Sequence, residues 1–136
     1  AETVLPLAGL HLLLAEDNAL NAEVACYLLE NAGAAVTVAE NGQAALDAFL
    51  ATGKGETPLF DAILMDVVMP VMDGLEATRT IRGSSREDSH VPIFAMTANT
   101  FAADRKKCYD AGMSGYIPKP IDLETITHVL EEETGE

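Results

Sequence analysis

Four places in this 136-residue chain carry side chains suited to phosphate chemistry, and each stands at the end of a short apolar run: Glu16-Asp17, Asp66, Thr97 and Lys119. Together they supply three carboxylates, a hydroxyl and an ammonium. Carboxylates crowded at one place repel each other unless a hard cation neutralises them. Mg2+ suits that need, because it takes oxygen ligands from one or two carboxylates plus waters and completes its octahedron with phosphate oxygen. A carboxylate can itself attack phosphorus when the incoming group is held in line and its charge is countered. Asp66, which ends the third apolar run and enters a loop containing Pro70 and Gly74, is the expected nucleophile. Glu16 and Asp17 then hold the metal, Lys119 pairs with a phosphoryl oxygen as a point charge, and Thr97 donates to another. Any one polar residue after an apolar run can be read as the place where the chain meets water. Four such ends supplying one toolkit point to a site.

For these groups to meet, the elements between them must bring four chain segments to one edge. Short apolar runs alternate with longer helical patterns, the signal for repeated βα units. Strands are expected at Leu10–Ala15, Ala35–Ala39, Phe60–Met65, Val91–Met96 and Gly115–Pro118. The first helix is expected over about Ala19–Ala32, with Val24, Leu28 and Leu29 on one face and Gly33 at its end. Asn41-Gly42 reads as a turn before a second helix carrying Ala44, Ala45, Phe49 and Leu50. Further helices are expected over about Leu75–Arg82, over Phe101–Ala111 with Gly112 stopping it, and from a cap at Asp122 to about Glu133. Runs that are apolar on successive residues belong to strands buried on both faces, and such strands are joined in parallel by crossover helices. The expected fold is therefore α/β and flavodoxin-like, a doubly wound (βα)5 unit with a five-stranded parallel sheet and helices on both faces. Its site should lie beyond the carboxyl ends of the strands. Residues 1–9 read as a linker, 10–133 as one domain and 134–136 as a tail.

Twenty-two acidic against eight basic residues give a formal charge of -14, which argues against a nucleic-acid backbone as a direct partner. No apolar run reaches the roughly 18 to 20 residues that span a bilayer, and no signal peptide is evident. The domain is expected in the cytoplasm without membrane contact of its own, whether or not a parent protein is anchored. Cys26 and Cys108 form no CxxC pair, and His11, His90 and His128 are scattered singly, so no zinc or catalytic role is assigned to them. The five methionines make no helical stripe and read as packing. Asp73-Gly74 reads as a turn into the third helix, its acid favourable at a helix N-terminus. The chain has neither a GxxxxGK(S/T) loop nor a GxGxxG fingerprint for a nucleotide.

The chain resembles the receiver domain of two-component response regulators. The matching pieces are Glu16-Asp17-Asn18, Asp66-Val67-Val68-Met69-Pro70-Val71-Met72-Asp73-Gly74, Met96-Thr97-Ala98 and Lys119-Pro120, within a likeness running from about Leu10 to Val129. The resemblance implies Asp66 as phosphoacceptor and Glu16 and Asp17 as Mg2+ ligands, with the backbone carbonyl of Val68 as a further ligand. It implies Thr97 and Lys119 as the residues that grip the phosphoryl group, and Tyr116 as the aromatic switch that turns as Thr97 moves. It also implies a cis peptide at Lys119-Pro120. An isolated domain of this kind is a phosphorylation switch that catalyses its own phosphoryl transfer. The face of the fourth helix, fifth strand and fifth helix is expected to shift between two states, by contacts that differ between them.

The strings Ala15-Glu16-Asp17-Asn18-Ala19-Leu20-Asn21, Gly74-Leu75-Glu76-Ala77-Thr78-Arg79 and Lys119-Pro120-Ile121-Asp122 look like receivers attached to hybrid sensor histidine kinases. In that setting the donor is a phosphohistidine on the kinase, and the acceptor is a histidine phosphotransfer protein. The alternatives are a free-standing single-domain response regulator and a docking module that takes no phosphate. The chain departs from the family pattern at Glu16, where Asp is commoner, and in its longer stretch from Thr52 to Pro58. Val68 and Asn99 occupy the positions where the family tunes hydrolysis. A flavin carrier and an aspartyl phosphatase share this kind of fold, but the phosphatases place a second acid two residues after the nucleophile, where this chain has Val68.

Overall fold

The computed structural model of the chain describes residues 7–52, 60–67, 71–84, 90–97, 102–118 and 122–134, with the side chains of all but 102–104 and 131–134. Five strands and five helices alternate: β1 (His11–Ala15), α1 (Ala19–Asn31), β2 (Ala35–Ala39), α2 (Gly42–Ala51), β3 (Ala62–Asp66), α3 (Gly74–Arg82), β4 (Ile93–Thr97), α4 (Ala102–Ala111), β5 (Gly115–Pro118) and α5 (Leu123–Thr134). The strands form one parallel sheet in the order β2-β1-β3-β4-β5. The winding reverses between β1 and β3, so the crevice above their carboxyl ends is the natural ligand site. This is the flavodoxin-like architecture expected from the alternation of runs.

The period of the strands divides the core into two layers. Leu13, Ala15, Ile63, Met65, Ile93 and Ala95 face α2, α3 and α4, meeting Leu46, Phe49, Ala77, Ile81 and Cys108. Leu12, Leu14, Ala62, Leu64, Phe94 and Met96 face α1 and α5, meeting Ala25, Leu29, Ile126 and Leu130. Each fully buried leucine, isoleucine or phenylalanine contributes on the order of 1.5–3 kcal/mol relative to leaving it exposed.

Side-chain caps set where the helices begin. Asn18 Oδ1 accepts from the Asn21 N–H at 3.0 Å, Asn41 Oδ1 from Ala44 at 2.7 Å, Asp73 Oδ1 from Glu76 at 2.8 Å and Asp122 Oδ1 from Thr125 at 2.7 Å. Left-handed glycines end two of them. Gly33 (φ 105°) and Gly112 (φ 106°) donate to Glu30 and Tyr109, while the next residues, Ala34 and Met113, donate to Leu29 and Cys108. Those paired bonds satisfy carbonyls that a helix end would otherwise leave open.

The structure corrects the sequence reading in three places. Leu7, assigned above to a linker, is buried in the second layer, and its N–H donates to the Ala32 carbonyl at 2.8 Å, closing the end of α1; residues 1–6 lie outside the described residues. Val24 is exposed, because α1 turns its small residues Ala22 and Ala25, with Leu29, toward the sheet and so packs close to it. Gly42 is the first residue of α2, capped by Asn41, rather than part of a free turn.

At the amino edge of the sheet, Arg82 closes α3 against two strands. Its Nε donates to the Gly112 carbonyl at 2.8 Å, Nη1 to the Val91 carbonyl at 2.6 Å and Nη2 to Ser114 Oγ at 3.4 Å. Burial pulls its pKa below the ordinary arginine value. Burial, with the Glu30 carboxylate as the lesser cause, pushes the Cys26 thiol up, which keeps it protonated and unreactive.

Candidate functional site

Parallel register carries the acids to one place. Ala15 of β1 pairs with Met65 of β3, so Glu16 and Asp66 are the next residues on neighbouring strands. The Glu16 N–H donates to the Ala39 carbonyl at 3.0 Å and continues the ladder, while the following turn lets Asp17 leave the sheet. Ligand oxygens of Glu16, Asp17 and Asp66 all lie within 4.8 Å of one another. Glu16 is 4% exposed and Asp66 7%, whereas Asp17 is exposed. Three anions at that spacing, two of them shielded from water, need compensating positive charge. The Asn18 N–H offers a little, donating to Glu16 Oε2 at 3.3 Å. An oxygen-only donor set of this charge fits a hard divalent cation, and Glu16, Asp17 and Asp66 would hold it.

On the other side of β3, Asp66 pairs with Met96 of β4, and Thr97 is the next residue along. Thr97 in turn pairs with Pro118 at the end of β5, and Tyr116 pairs with Ala95. Thr97 and Tyr116 are both half-buried. Four of the expected site residues, Glu16, Asp17, Asp66 and Thr97, are thus brought to a common edge. Lys119, Val68, Asn99 and the Lys119-Pro120 peptide lie outside the described residues.

Two glycines fix the chain after Asp66, and their part was not legible in the sequence. The Gly74 N–H donates to the Val67 carbonyl at 3.0 Å, and the Gly42 N–H at the start of α2 donates to the Met72 carbonyl at 2.9 Å. A Cβ at Gly74 would run into the Asp66 carbonyl oxygen, and one at Gly42 into the Met72 carbonyl oxygen. Both glycines are there to let backbone approach backbone. Between these ties Val71, 81% exposed, holds φ at 70°, a left-handed conformation that a β-branched residue resists. Such strain persists only where the surroundings dictate it. Asp73 caps α3, its Oδ1 accepting from the Glu76 N–H at 2.8 Å.

Sequence reasoning also missed Arg105. From α4 its Nη1 donates to the Tyr116 hydroxyl at 3.2 Å, and its guanidinium carbon lies 5.5 Å from the Tyr116 ring centre. Nothing in the local spacing signals a contact between residues on two different elements.

Comparison with known proteins points to one family. The family model described as the response regulator receiver domain matches residues 12–131. The chain is 40% identical over 119 residues to hybrid signal transduction histidine kinase I of Dictyostelium discoideum, covering 87% of this chain and 7% of that protein. It is 35% identical over 152 residues to histidine kinase 1 of Arabidopsis thaliana, covering 91% of this chain and 13% of that one. Among solved structures, the receiver domain of a sensor histidine kinase from Pseudomonas aeruginosa, with a magnesium ion coordinated in its active site cleft, is similar at a TM-score of 0.77. That pair is 38% identical, covering 95% of this chain and all of the other. A Saccharomyces cerevisiae co-crystal of a histidine phosphotransfer signaling protein with the receiver domain of its downstream response regulator also matches. There the TM-score is 0.78 and the identity 29%, with 90% of this chain and 87% of the other covered.

Proposed function

The chain belongs to the response regulator receiver domain family, and from that premise we propose that it is a phosphorelay acceptor, taking a phosphoryl group from a phosphohistidine onto Asp66 with Mg2+. The observation that carries this reading is the meeting of Glu16, Asp17 and Asp66 within 4.8 Å at the carboxyl edge of the sheet. In the step, an Asp66 carboxylate oxygen attacks phosphorus. The P–O bond forms as the P–N bond of the phosphohistidine breaks, and the imidazole nitrogen keeps the electron pair and is protonated as it leaves. Glu16, Asp17, Asp66 and the Val68 carbonyl would hold Mg2+, which would supply positive charge opposite the phosphoryl oxygens. Thr97 donates its hydroxyl to one such oxygen and Lys119 pairs with another. Tyr116 responds to the movement of Thr97 and transmits it to the face of α4, β5 and α5.

The direct test is incubation with Mg2+ and acetyl phosphate, followed by intact-mass measurement. A gain of one phosphoryl group is expected, and chelation of the metal should abolish it. A native chain that gains nothing sinks the reading and leaves the docking module. Mg2+ alone should raise the thermal midpoint, since a ligand that binds only the folded state contributes about 1.4 kcal/mol at tenfold its Kd.

The chain spans 7% to 15% of eight curated relatives it matches, each a histidine kinase. We assign it on that ground to a hybrid histidine kinase, with a histidine phosphotransfer protein as its partner. That partner must reach the edge where the acids meet, so its docking surface must border that edge. The helix α1 starts there, and Leu20, Val24 and Tyr27, spaced four and three residues apart and 67%, 50% and 70% exposed, form an apolar stripe along it. Tyr27→Ala should slow transfer from a phosphohistidine protein by roughly tenfold, the scale of an aromatic interface anchor, while leaving phosphorylation by acetyl phosphate unchanged. Equal slowing with both donors would count against the stripe.

A further inference from the structure

We propose that Arg105 is a latch, a positioning residue on α4 that holds Tyr116 against that helix and sets how readily the site adopts its phosphorylated conformation. The inference rests on the acceptor reading above. Tyr116 lies on β5, the strand whose last residue pairs with Thr97 at the edge of the site. Its ring packs against the α2–α4 layer of the core, and its hydroxyl accepts a hydrogen bond from Arg105 Nη1 at 3.2 Å. The guanidinium, 5.5 Å from the ring centre, is also within the range of a cation–π contact. Two contacts of different kinds therefore fix one ring to one helix. A rotation that carries the Tyr116 ring away from α4 breaks both.

The latch is balanced rather than tight. Arg105 Nε is buried and has no hydrogen-bond partner among the described residues. A desolvated donor left unsatisfied opposes the arrangement that buries it, and swinging Arg105 outward would return it to water. The hydrogen bond and the ring contact favour the latched state, the orphaned Nε disfavours it, and a modest input can release it. Release has a second effect, because Arg105 adjoins Lys106 and Lys107, and these three are among only eight basic residues in a chain of formal charge -14. Lys106 is already tied to Asp110 at 2.9 Å. Freeing Arg105 thus changes the charge that α4 presents.

The test is a beryllofluoride titration of the full chain at saturating Mg2+, followed by amide NMR, for wild type, Arg105→Ala, Arg105→Lys, Tyr116→Phe and the Arg105→Ala/Tyr116→Phe double variant. Arg105→Ala is expected to tighten apparent beryllofluoride affinity by about fivefold, the scale of one such contact pair. It should also move α4 and β5 amide resonances toward their beryllofluoride-bound positions before any is added. Arg105→Lys keeps the charge but loses the fork, so it should fall between wild type and alanine. In the double variant the effects should be less than additive, because both substitutions cut the same link. A wild type that responds while Arg105→Ala matches it, or binds more weakly, overturns the latch alone. A wild type that does not respond overturns the latch and the acceptor reading together.

Discussion

Asp66→Asn is expected to end phosphorylation by acetyl phosphate entirely, while making the metal-free chain more stable than wild type. The two effects have different origins. An amide oxygen is a poor nucleophile toward phosphorus, so the acceptor chemistry is lost whatever the fold does. Stability moves the other way because Asp66, only 7% exposed, sits within 4.8 Å of two other carboxylates. Like charges at that separation repel by about 1 kcal/mol even at the dielectric of water, and removing one of three relieves two such pairs. Calorimetry without metal should show a higher midpoint in the variant, and the rise produced by Mg2+ should shrink because an anionic oxygen ligand is replaced by a neutral one. A variant that still gained phosphoryl mass would move the acceptor to another residue. A variant with a lower metal-free midpoint would mean that Asp66 serves packing before it serves charge.

Gly74→Ala tests the backbone under that carboxylate. Alanine is favoured over glycine in helices by about 1 kcal/mol, and Gly74 opens α3, so propensity alone predicts stabilisation. Sterics oppose it. The added Cβ would overlap the Asp66 carbonyl oxygen and come within 2.8 Å of Met65 Cγ and 3.1 Å of the Asp66 carbonyl carbon. Two of these three atoms are backbone of the central strand and cannot rotate away. Relief requires shifting β3 or breaking the Gly74-to-Val67 bond, and overpacking of this kind costs roughly 1–3 kcal/mol or more. The steric term should win, with net destabilisation of about 2 kcal/mol in chemical denaturation. Phosphorylation should slow by roughly a hundredfold if the carboxylate moves by about an ångström. A stabilised, fully active variant would mean that the loop accommodates the methyl group and that the glycine is there for another reason.

The sheet and the acid cluster were legible because both are written locally. Successive apolar residues such as Ile63-Leu64-Met65 can only be buried on two faces, and the polar residues that follow each run must then emerge at one edge. Asp122 was legible as a cap for the same local reason, whereas Asp73 was legible only as an acid in a turn into α3 and proves to be its cap. Val24 was misread because its spacing with Leu28 and Leu29 fits a helical face, and only the approach of α1 to the sheet decides which face is buried. Gly42 and Gly74 read as turn glycines, since a close approach of Gly42 to the Met72 carbonyl or of Gly74 to the Asp66 carbonyl leaves no trace in the local spacing. Arg105 was invisible for a similar reason. Val68 was named through the resemblance and Lys119 from its place after the fifth run, and both lie outside the described residues.

Arg82 gives the two edges of the sheet opposite mechanical characters. By tying the end of α3 to the starts of β4 and β5 through the Val91 carbonyl, the Gly112 carbonyl and Ser114 Oγ, it clamps the amino edge. The Ser114-to-Ile93 backbone bond at 2.7 Å reinforces the clamp. The carboxyl edge carries the charge and the latch. On the switch reading proposed above, a rearrangement of α4 and β5 would pivot at Arg82, small there and largest at the far end, a lever whose long arm ends beside Thr97.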